Sequence, residues 1–187
     1  MTPIAERYLK KDGKYNIDIK LSDLRQLFNV HDPAPFRERD LDDDAVSYIV
    51  ESIKEIKIGA EARLVVHLPQ EKIEAEDQQK TSEAIHNYFT FEEDLALKRM
   101  KTLLKQGEYY FLVGLVFLFS CAYLSYTILS LRPNVVTHII GEGLNIIGWV
   151  AMWRPIEILL YDWRPLRKMQ RYYQKLKQIE VQIVPLV

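Results

Sequence analysis

Two long apolar stretches dominate the pattern of hydrophobic and polar positions along the chain. The first covers residues 109–131, 23 consecutive positions without a formally charged side chain. At about 1.5 Å per residue, a helix of that length covers the roughly 30 Å hydrocarbon core of a bilayer. A tight turn, Arg132-Pro133-Asn134, separates it from a second apolar stretch at residues 135–153. The sequence therefore predicts two membrane-spanning helices that form a hairpin.

Three short segments outside the hairpin have the pattern of β-strands. Residues 15–21 and 178–184 alternate between apolar and polar side chains, as half-buried strands do. Residues 62–68 are rich in β-branched and apolar side chains and end at Pro69. We expect the strand at residues 178–184 to pair with the sheet that the two earlier strands form, because its apolar face must be buried.

The segments between the predicted strands have the sequence patterns of helices. Ser22 predicts the cap of a short helix at residues 23–28, and residues 45–56 place their apolar side chains on one helix face. Helix-forming residues from 73 to 106 predict a long helix that runs toward the first span. Gly107 is its one predicted hinge.

These elements define the fold class as an α+β membrane protein, a two-span transmembrane hairpin with a small cytoplasmic α+β domain that a C-terminal strand completes. We expect four segments along the chain. They are an α+β domain with its long helix at 1–106, the hairpin at 107–153, an interfacial and basic helix at 154–177, and the returning strand at 178–187.

Positive charges flank the apolar stretches and predict the orientation. The turn between the two stretches holds only Arg132. Loops rich in Lys and Arg stay in the cytoplasm, so we expect both termini to be cytoplasmic. The flanking cations are Lys98, Arg99, Lys101 and Lys105 before the first span, and Arg154, Arg164, Arg167, Lys168 and Arg171 after the second.

Composition narrows the function classes. The formal net charge is −1, and no basic face away from the membrane or binding motif suggests nucleic acid. The single cysteine, Cys121, lies within the first span and excludes an intramolecular disulfide. No nucleophile–base pair, nucleotide loop or metal constellation is visible, so we predict no catalytic residue, no cofactor and no metal.

A polar stripe crosses the second apolar stretch. His138, Glu142, Asn145 and Trp149 follow helical spacing, and an ionisable residue within a span is expected to face protein or water. Counting the same depth into the first span reaches Tyr123, whose hydroxyl is the predicted partner of Glu142. Two interpretations stay open, a proton or cation relay and a hydrogen-bonded glutamate that fixes helix packing.

Small residues mark another face of the second span. Gly141, Gly148 and Ala151 would let a neighbouring helix approach closely. Two spans are too few to enclose a pore. We therefore expect the lipid bilayer as one partner, and either a homo-oligomer or membership of a larger membrane complex.

A Trp-Arg-Pro triplet occurs twice, at Trp153-Arg154-Pro155 and Trp163-Arg164-Pro165. An indole prefers the headgroup level, a guanidinium reaches phosphate, and proline permits a new helix to start. We expect a short interfacial helix between the triplets, anchored by both Trp-Arg pairs. A lipid-processing site is the alternative, which no histidine, serine or metal-ligand cluster accompanies.

The most charged run, Arg37 to Asp44, invites a cation-binding interpretation for Asp40 to Asp44. It lacks the glycine and the distal glutamate of a calcium-binding loop. Aspartates at a helix start cap free backbone N–H groups, which is the favoured interpretation here.

The segment Gly-Trp-Val-Ala-Met-Trp-Arg-Pro-Ile-Glu, residues 148–157, lies within a longer stretch, 141–166, that resembles small bacterial two-span membrane proteins of unassigned function. The resemblance includes residues 23–29 and 32–36. It implies a bacterial inner membrane and supplies no activity. We expect a non-enzymatic inner-membrane scaffold, regulator or assembly subunit, with an oligomeric proton or cation conductor built on Glu142 as the alternative and an enzyme third.

Overall fold

The structure is a computed structural model that describes residues 8–35, 39–74 and 76–186. The chain divides into two compact units. The first combines the described residues up to Leu95 with those from Lys168 onward, and the second is Ala96–Arg167.

The first unit contains a mixed four-stranded sheet in the order β1 (Lys10–Lys11), β2 (Lys14–Lys20), β3 (Ala62–Leu68) and β4 (Glu180–Pro185). The three predicted strands are present, and β4 pairs in parallel with β3, as β3 does with β2. The sequence pattern missed β1, which has two residues and pairs antiparallel with β2. Asp12 and Gly13 between them both have positive φ, 53° and 83°, which is the backbone that a two-residue hairpin turn requires.

One face of the sheet carries the core. Alternate residues of β2 and β3 point into it, and helix α1 (Asp43–Glu55), the first turns of α2 (Asp77–Leu131) and the end of α4 (Trp163–Leu176) supply the apolar side chains that cover it. Its buried members include Ile17, Ile19, Leu64, Val66, Leu68, Ile49, Ile53, Ile85, Phe89, Tyr172, Leu176 and Val181.

The cap of the short helix is one residue later than predicted. The helix is a single 3-10 turn, Leu24–Leu27, and its N-cap is Asp23 rather than Ser22. The Asp23 carboxylate accepts the Arg25 N–H at 3.0 Å, and the Gln26 side chain accepts the Ser22 N–H at 2.8 Å. A carboxylate satisfies the free donors of the first turn at least as well as a hydroxyl, so Asp23 takes the position.

The second unit is built on helix α2 and helix α3 (Val135–Glu157), joined by the turn at Arg132 to Asn134. Both helices are long and apolar enough to span a membrane. The expectation of a hinge at Gly107 is wrong, because α2 runs through that residue without interruption. Asn134 caps α3 by accepting the Thr137 N–H at 2.9 Å.

The two prolines act differently from expectation. Pro155 lies inside α3 and starts no new helix, and the expected separate interfacial helix is a π-helical segment, Ile158–Asp162, that continues from α3. Pro165 lies in the first turn of α4, which follows the π-helical segment without a break, so both prolines lie within one continuous helix, Val135–Leu176. A proline in a helix interior removes one donor and crowds the preceding turn, and the wider π turn lies between the two prolines.

Candidate functional site

The inner seam of the helical hairpin is made of small residues. On α2 the buried positions include Gly107, Gly114, Cys121 and Ser125, spaced by seven, seven and four residues. On α3 they begin with Gly141 and Gly148, seven residues apart, and continue with Met152 and Pro155. Intervals of three, four and seven residues keep one seam facing a partner helix, as in coiled coils.

Glycine lets the helices approach closely along this seam, because a Cβ atom at these positions would lie nearer to its neighbours than ordinary van der Waals contact. A Cβ on Gly148 would lie 3.0 Å from Leu118 Cδ1, and one on Gly107 would lie 2.7 Å from Ile158 Cγ2. At Gly114 the nearest atoms would be Met152 Sδ at 3.0 Å and the Ala151 carbonyl oxygen at 3.5 Å. Gly143, by contrast, faces open space. The structure therefore places Gly141, Gly148 and Ala151, the predicted packing residues, beside the first helix of the same chain.

A hydrogen-bonded pair closes the seam near the turn. The Ser125 hydroxyl donates to the Gly141 carbonyl at 2.9 Å, and the Asn145 amide donates to Ser125 Oγ at 3.4 Å. The sequence pattern had not singled out Ser125. Ser125 could have been found from its position four residues after Cys121, which continues the spacing of the seam. That spacing can be recognised only when the two helices are aligned with each other.

The predicted polar stripe divides into two environments. Asn145 reaches Ser125 in the seam, whereas the Glu142 and His138 side chains are 74% and 68% exposed, with His138 Nδ1 3.9 Å from Glu142 Oε1. Tyr123 is 73% exposed and makes no hydrogen bond with Glu142 in the described part of the chain. Each helical residue turns by about 100°, so Glu142 points away from the seam that its neighbour Gly141 occupies.

The Trp-Arg pairs are engaged within the hairpin. Arg154 Nη1 lies 3.0 Å from both Glu157 Oε2 and Asp162 Oδ2, so its charge bridges the π-helical turn. The Trp163 indole donates to the Leu159 carbonyl at 2.9 Å. The Arg164 guanidinium lies 5.2 Å from the centre of the Tyr161 ring. Trp153 remains 70% exposed.

The outer surface of the hairpin is apolar. Large side chains project outward from both helices, and only 17% of the most apolar stretch of each helix is buried. The helical core of a soluble protein has the opposite pattern, with its apolar side chains inside. Among the exposed side chains are Val113, Val116, Phe117, Phe119, Leu124, Ile139, Ile146, Ile147, Trp149 and Val150.

A buried carboxylate joins two helices in the first unit. Glu93 on α2 is 6% exposed and accepts from Lys177 Nζ at 2.5 Å and from the Gln170 amide at 2.7 Å. Burial acts to raise the pKa of Glu93, but the hydrogen bonds from Lys177 and Gln170 outweigh it, so the pKa lies below its ordinary value. Sequence periodicity had given no sign of this pair.

One edge of the sheet, strand β4, is covered by a side chain. The Gln78 amide group donates to the Val181 carbonyl and accepts the Ile183 N–H at 2.8 Å, as a neighbouring strand would. His86 Nε2 lies 2.8 Å from the Ile179 carbonyl just before β4. These contacts satisfy backbone groups that would otherwise offer a template for strand addition.

The acidic run serves the start of α1. The Asp42 carboxylate accepts the N–H groups of Asp44 and Ala45 at 3.1 and 3.4 Å, as the capping interpretation predicted. The Asp32 carboxylate accepts the N–H of Asp40, and this bond, with a second from Ala34, lowers the pKa of Asp32. Arg37 and Glu38, the start of the charged run, lie outside the described residues, as does Phe36. Within the described ranges no group of three His, Cys, Asp or Glu side chains is arranged to hold a metal.

No family model matches this chain, and it matches neither a curated protein nor a solved structure.

Proposed function

We propose that this protein is a two-span membrane protein of the bacterial inner membrane that acts as a non-enzymatic scaffold, regulator or assembly subunit. The observation that carries the proposal is the reversed packing of the hairpin, with glycine, serine and cysteine in its seam and large apolar side chains outside. Such a surface is unfavourable in water and suits a bilayer, where close packing through small residues holds helices together.

The orientation follows from the charges in this proposal. Four cations precede the apolar part of α2, whereas the turn to α3 has only Arg132. Both termini, and with them the sheet, then lie in the cytoplasm. Membrane flotation of the full chain and a reporter fused after Val187 test this directly. A reporter that is active only in the periplasm refutes the orientation, and a chain that stays soluble without detergent refutes the membrane assignment.

The proposed role is to hold partners together. The face of the sheet opposite the core carries charged pairs, Asp18 with His67 at 2.8 Å and Glu180 with Lys14 at 2.8 Å. A protein that holds a cytoplasmic surface at the membrane needs no catalytic site of its own. Native mass measurement after gentle extraction, with identification of the co-purifying proteins, should reveal a homo-oligomer or a larger complex. A strictly monomeric protein without partners contradicts the role.

One observation favours a second candidate, an oligomeric proton or cation conductor. Glu142 and His138 lie side by side on the outer face of α3, where an ionisable pair would be costly against lipid. Additional copies of the chain could cover the pair and line a path with it. The seam of a single hairpin is closed by glycine contacts, so conduction requires such an oligomer.

Glu142→Gln separates the two candidates. If Glu142 only secures packing, assembly survives with a stability change of about 1 kcal/mol, the scale of polar contacts between membrane helices. If it conducts, the variant loses proton or cation flux while the oligomer stays intact. Leak from liposomes that carry wild type or variant is the measurement. Equal background leak from both eliminates the conductor, whereas leak lost only in the variant removes the scaffold as the sole role.

A further inference from the structure

Two polar groups on the outer surface of the hairpin lack a hydrogen-bond partner within the described part of the chain. The Glu142 carboxyl on α3 is 74% exposed and lies 3.9 Å from His138 Nδ1, which is too far for a hydrogen bond. Tyr126 on α2 is 71% exposed, and its hydroxyl makes no hydrogen bond within the described residues. Both residues belong to the apolar stretches, where such groups are unfavourable against lipid.

These two groups lie at one level and on one side of the hairpin. Each directly follows a seam residue, and the two seam residues are in contact, because the Ser125 hydroxyl donates to the Gly141 carbonyl at 2.9 Å. The next residue in a helix is about 100° around the axis and about 1.5 Å further along it. Since α2 and α3 run in opposite directions, this step leads Tyr126 and Glu142 to the same side of the hairpin. Their depths therefore agree to within about 3 Å.

A donor and an acceptor at one depth make this side of the hairpin complementary to itself. A two-fold axis along the bilayer normal keeps every group at its own depth and turns the same side of two hairpins toward each other. The resulting isologous interface lays α2 of one copy against α3 of the other, as in a four-helix bundle. The Tyr126 hydroxyl of each copy then meets the Glu142 carboxyl of the other. One rotation satisfies all four groups, whereas a different protein would have to supply both a donor and an acceptor at this depth.

We propose that a second copy of this chain covers this side of the hairpin, with the Tyr126 hydroxyl of each copy donating to the Glu142 carboxyl of the other. The proposal rests on the proposed membrane location and specifies the oligomer as a symmetric dimer. The same contact covers His138 and Trp149, which lie one turn before and two turns after Glu142 on the same helix side. A tyrosine partner for Glu142 is thus supplied by another copy, by Tyr126 rather than Tyr123.

The first test is sedimentation equilibrium of the full-length protein in detergent micelles at several protein-to-detergent ratios, with a reversible dimer expected for wild type. Tyr126→Phe removes only the hydroxyl and should raise the dimer Kd about tenfold, because two contacts are lost and each contributes about threefold. Glu142→Gln keeps an acceptor and should stay within about fivefold of wild type. Tyr123→Phe is the matched control, since Tyr123 is also exposed on α2 but lies about 60° away around the axis. It should change the Kd less than about twofold.

The second test identifies the contact directly and does not depend on dimer stability. Both copies carry Cys121→Ala, which removes the native thiol. One copy then carries Tyr126→Cys, and a differently tagged copy carries Glu142→Cys. Oxidation in membranes is expected to join the two tagged copies, since a disulfide requires Cβ atoms about 4 Å apart. Two copies that both carry Tyr126→Cys should cross-link far less, because the two-fold axis places α2 against α3 and not against α2.

Specific outcomes overturn the proposal. Equal weakening by Tyr126→Phe and Tyr123→Phe means that the Tyr126 hydroxyl has no special partner. Cross-links that are as abundant between two Tyr126→Cys copies as in the mixed pair mean that the helices pack in another order. Flotation is measured first, because a chain that never enters membranes refutes the proposed function. An inserted chain that co-purifies with a different protein, and never with a second copy, refutes only this dimer.

Discussion

Glu93 is a carboxylate in the middle of a long helix, and its side chain is nonetheless buried. Burying a charge is tolerated only where partners replace water, which Lys177 and Gln170 do at 2.5 and 2.7 Å. Gln170 is in α4 and Lys177 directly follows it, so these contacts join α2 to the end of α4 within the first unit.

We predict that Glu93→Gln lowers the free energy of unfolding by about 2 kcal/mol, because it leaves the Lys177 ammonium without its counter-charge. The pKa of Glu93 is lower in the folded protein than in the unfolded chain. Its contribution is therefore complete above the unfolded pKa of about 4.3 and is lost as the pH falls through the folded value. Thermal unfolding in detergent at several pH values measures both effects.

Asp94→Asn is the matched control, because Asp94 is the exposed neighbour of Glu93 and the substitution removes the same charge. Its stability should stay within about 0.5 kcal/mol of wild type. A variant at Glu93 that is as stable as the Asp94 variant, or whose acid-dependent loss of stability is as large as that of wild type, would contradict the assigned role of the pair.

Helix α3 has three glycines with different surroundings. Gly141 and Gly148 lie in the seam with α2, whereas Gly143 faces open space. Helical glycine is unfavourable by about 1 kcal/mol relative to alanine, so the two seam glycines are retained for the close approach that they permit.

We predict that Gly148→Ile destabilises the hairpin by about 1–3 kcal/mol, the usual cost of an overpacked interface, because Leu118 and Cys121 already lie where the new side chain would go. Gly143→Ile on the same helix should be neutral or slightly stabilising. Thermal unfolding of detergent-solubilised protein, followed by tryptophan fluorescence, compares the two. Equal destabilisation by both substitutions would contradict the assigned role of Gly148 in seam packing.

The whole molecule is organised so that its sheet is finished last. Strand β4 pairs in parallel with β3, although α2 and α3 lie between them in the sequence. Parallel neighbours always need a crossover connection, and here that connection contains both apolar helices. The four-stranded sheet of the first unit can therefore be completed only after the residues of the second unit have been synthesised.

We predict that Val181→Asn destabilises the first unit by about 2–3 kcal/mol, because it places an amide in the apolar core where Val181 is 4% exposed. Val184→Asn provides the control, since Val184 is in the same strand and on the opposite, partly open face. Limited proteolysis of residues before Leu95 is the measurement. Equal resistance of the two variants would mean that β4 does not support the sheet.

The sequence by itself determined the elements that depend on local periodicity. The two apolar stretches, the alternation of β2 and β4, and the aspartate cap of α1 could all be predicted, because each is decided by neighbours within a few residues. Strand β1 was missed because two residues show no period, although Asp12-Gly13 is a hairpin signal.

Only the tertiary structure decided what each element meets. Gly107 was predicted to be a hinge because it is a glycine next to a long run of helix-forming residues. In the structure it packs closely against Ile158 and is part of the seam between the helices. Glu142 and Asn145 belong to one stripe in the sequence, yet Ser125 engages Asn145, and Glu142 points outward. In the sequence, Gln78 and Glu93 look like ordinary helix residues. In the structure, Gln78 contacts β4 and Glu93 contacts Lys177, and both partners lie more than 80 positions later in the chain. Such contacts join residues far apart in the chain, and no local pattern carries the information on which helix faces will pack together.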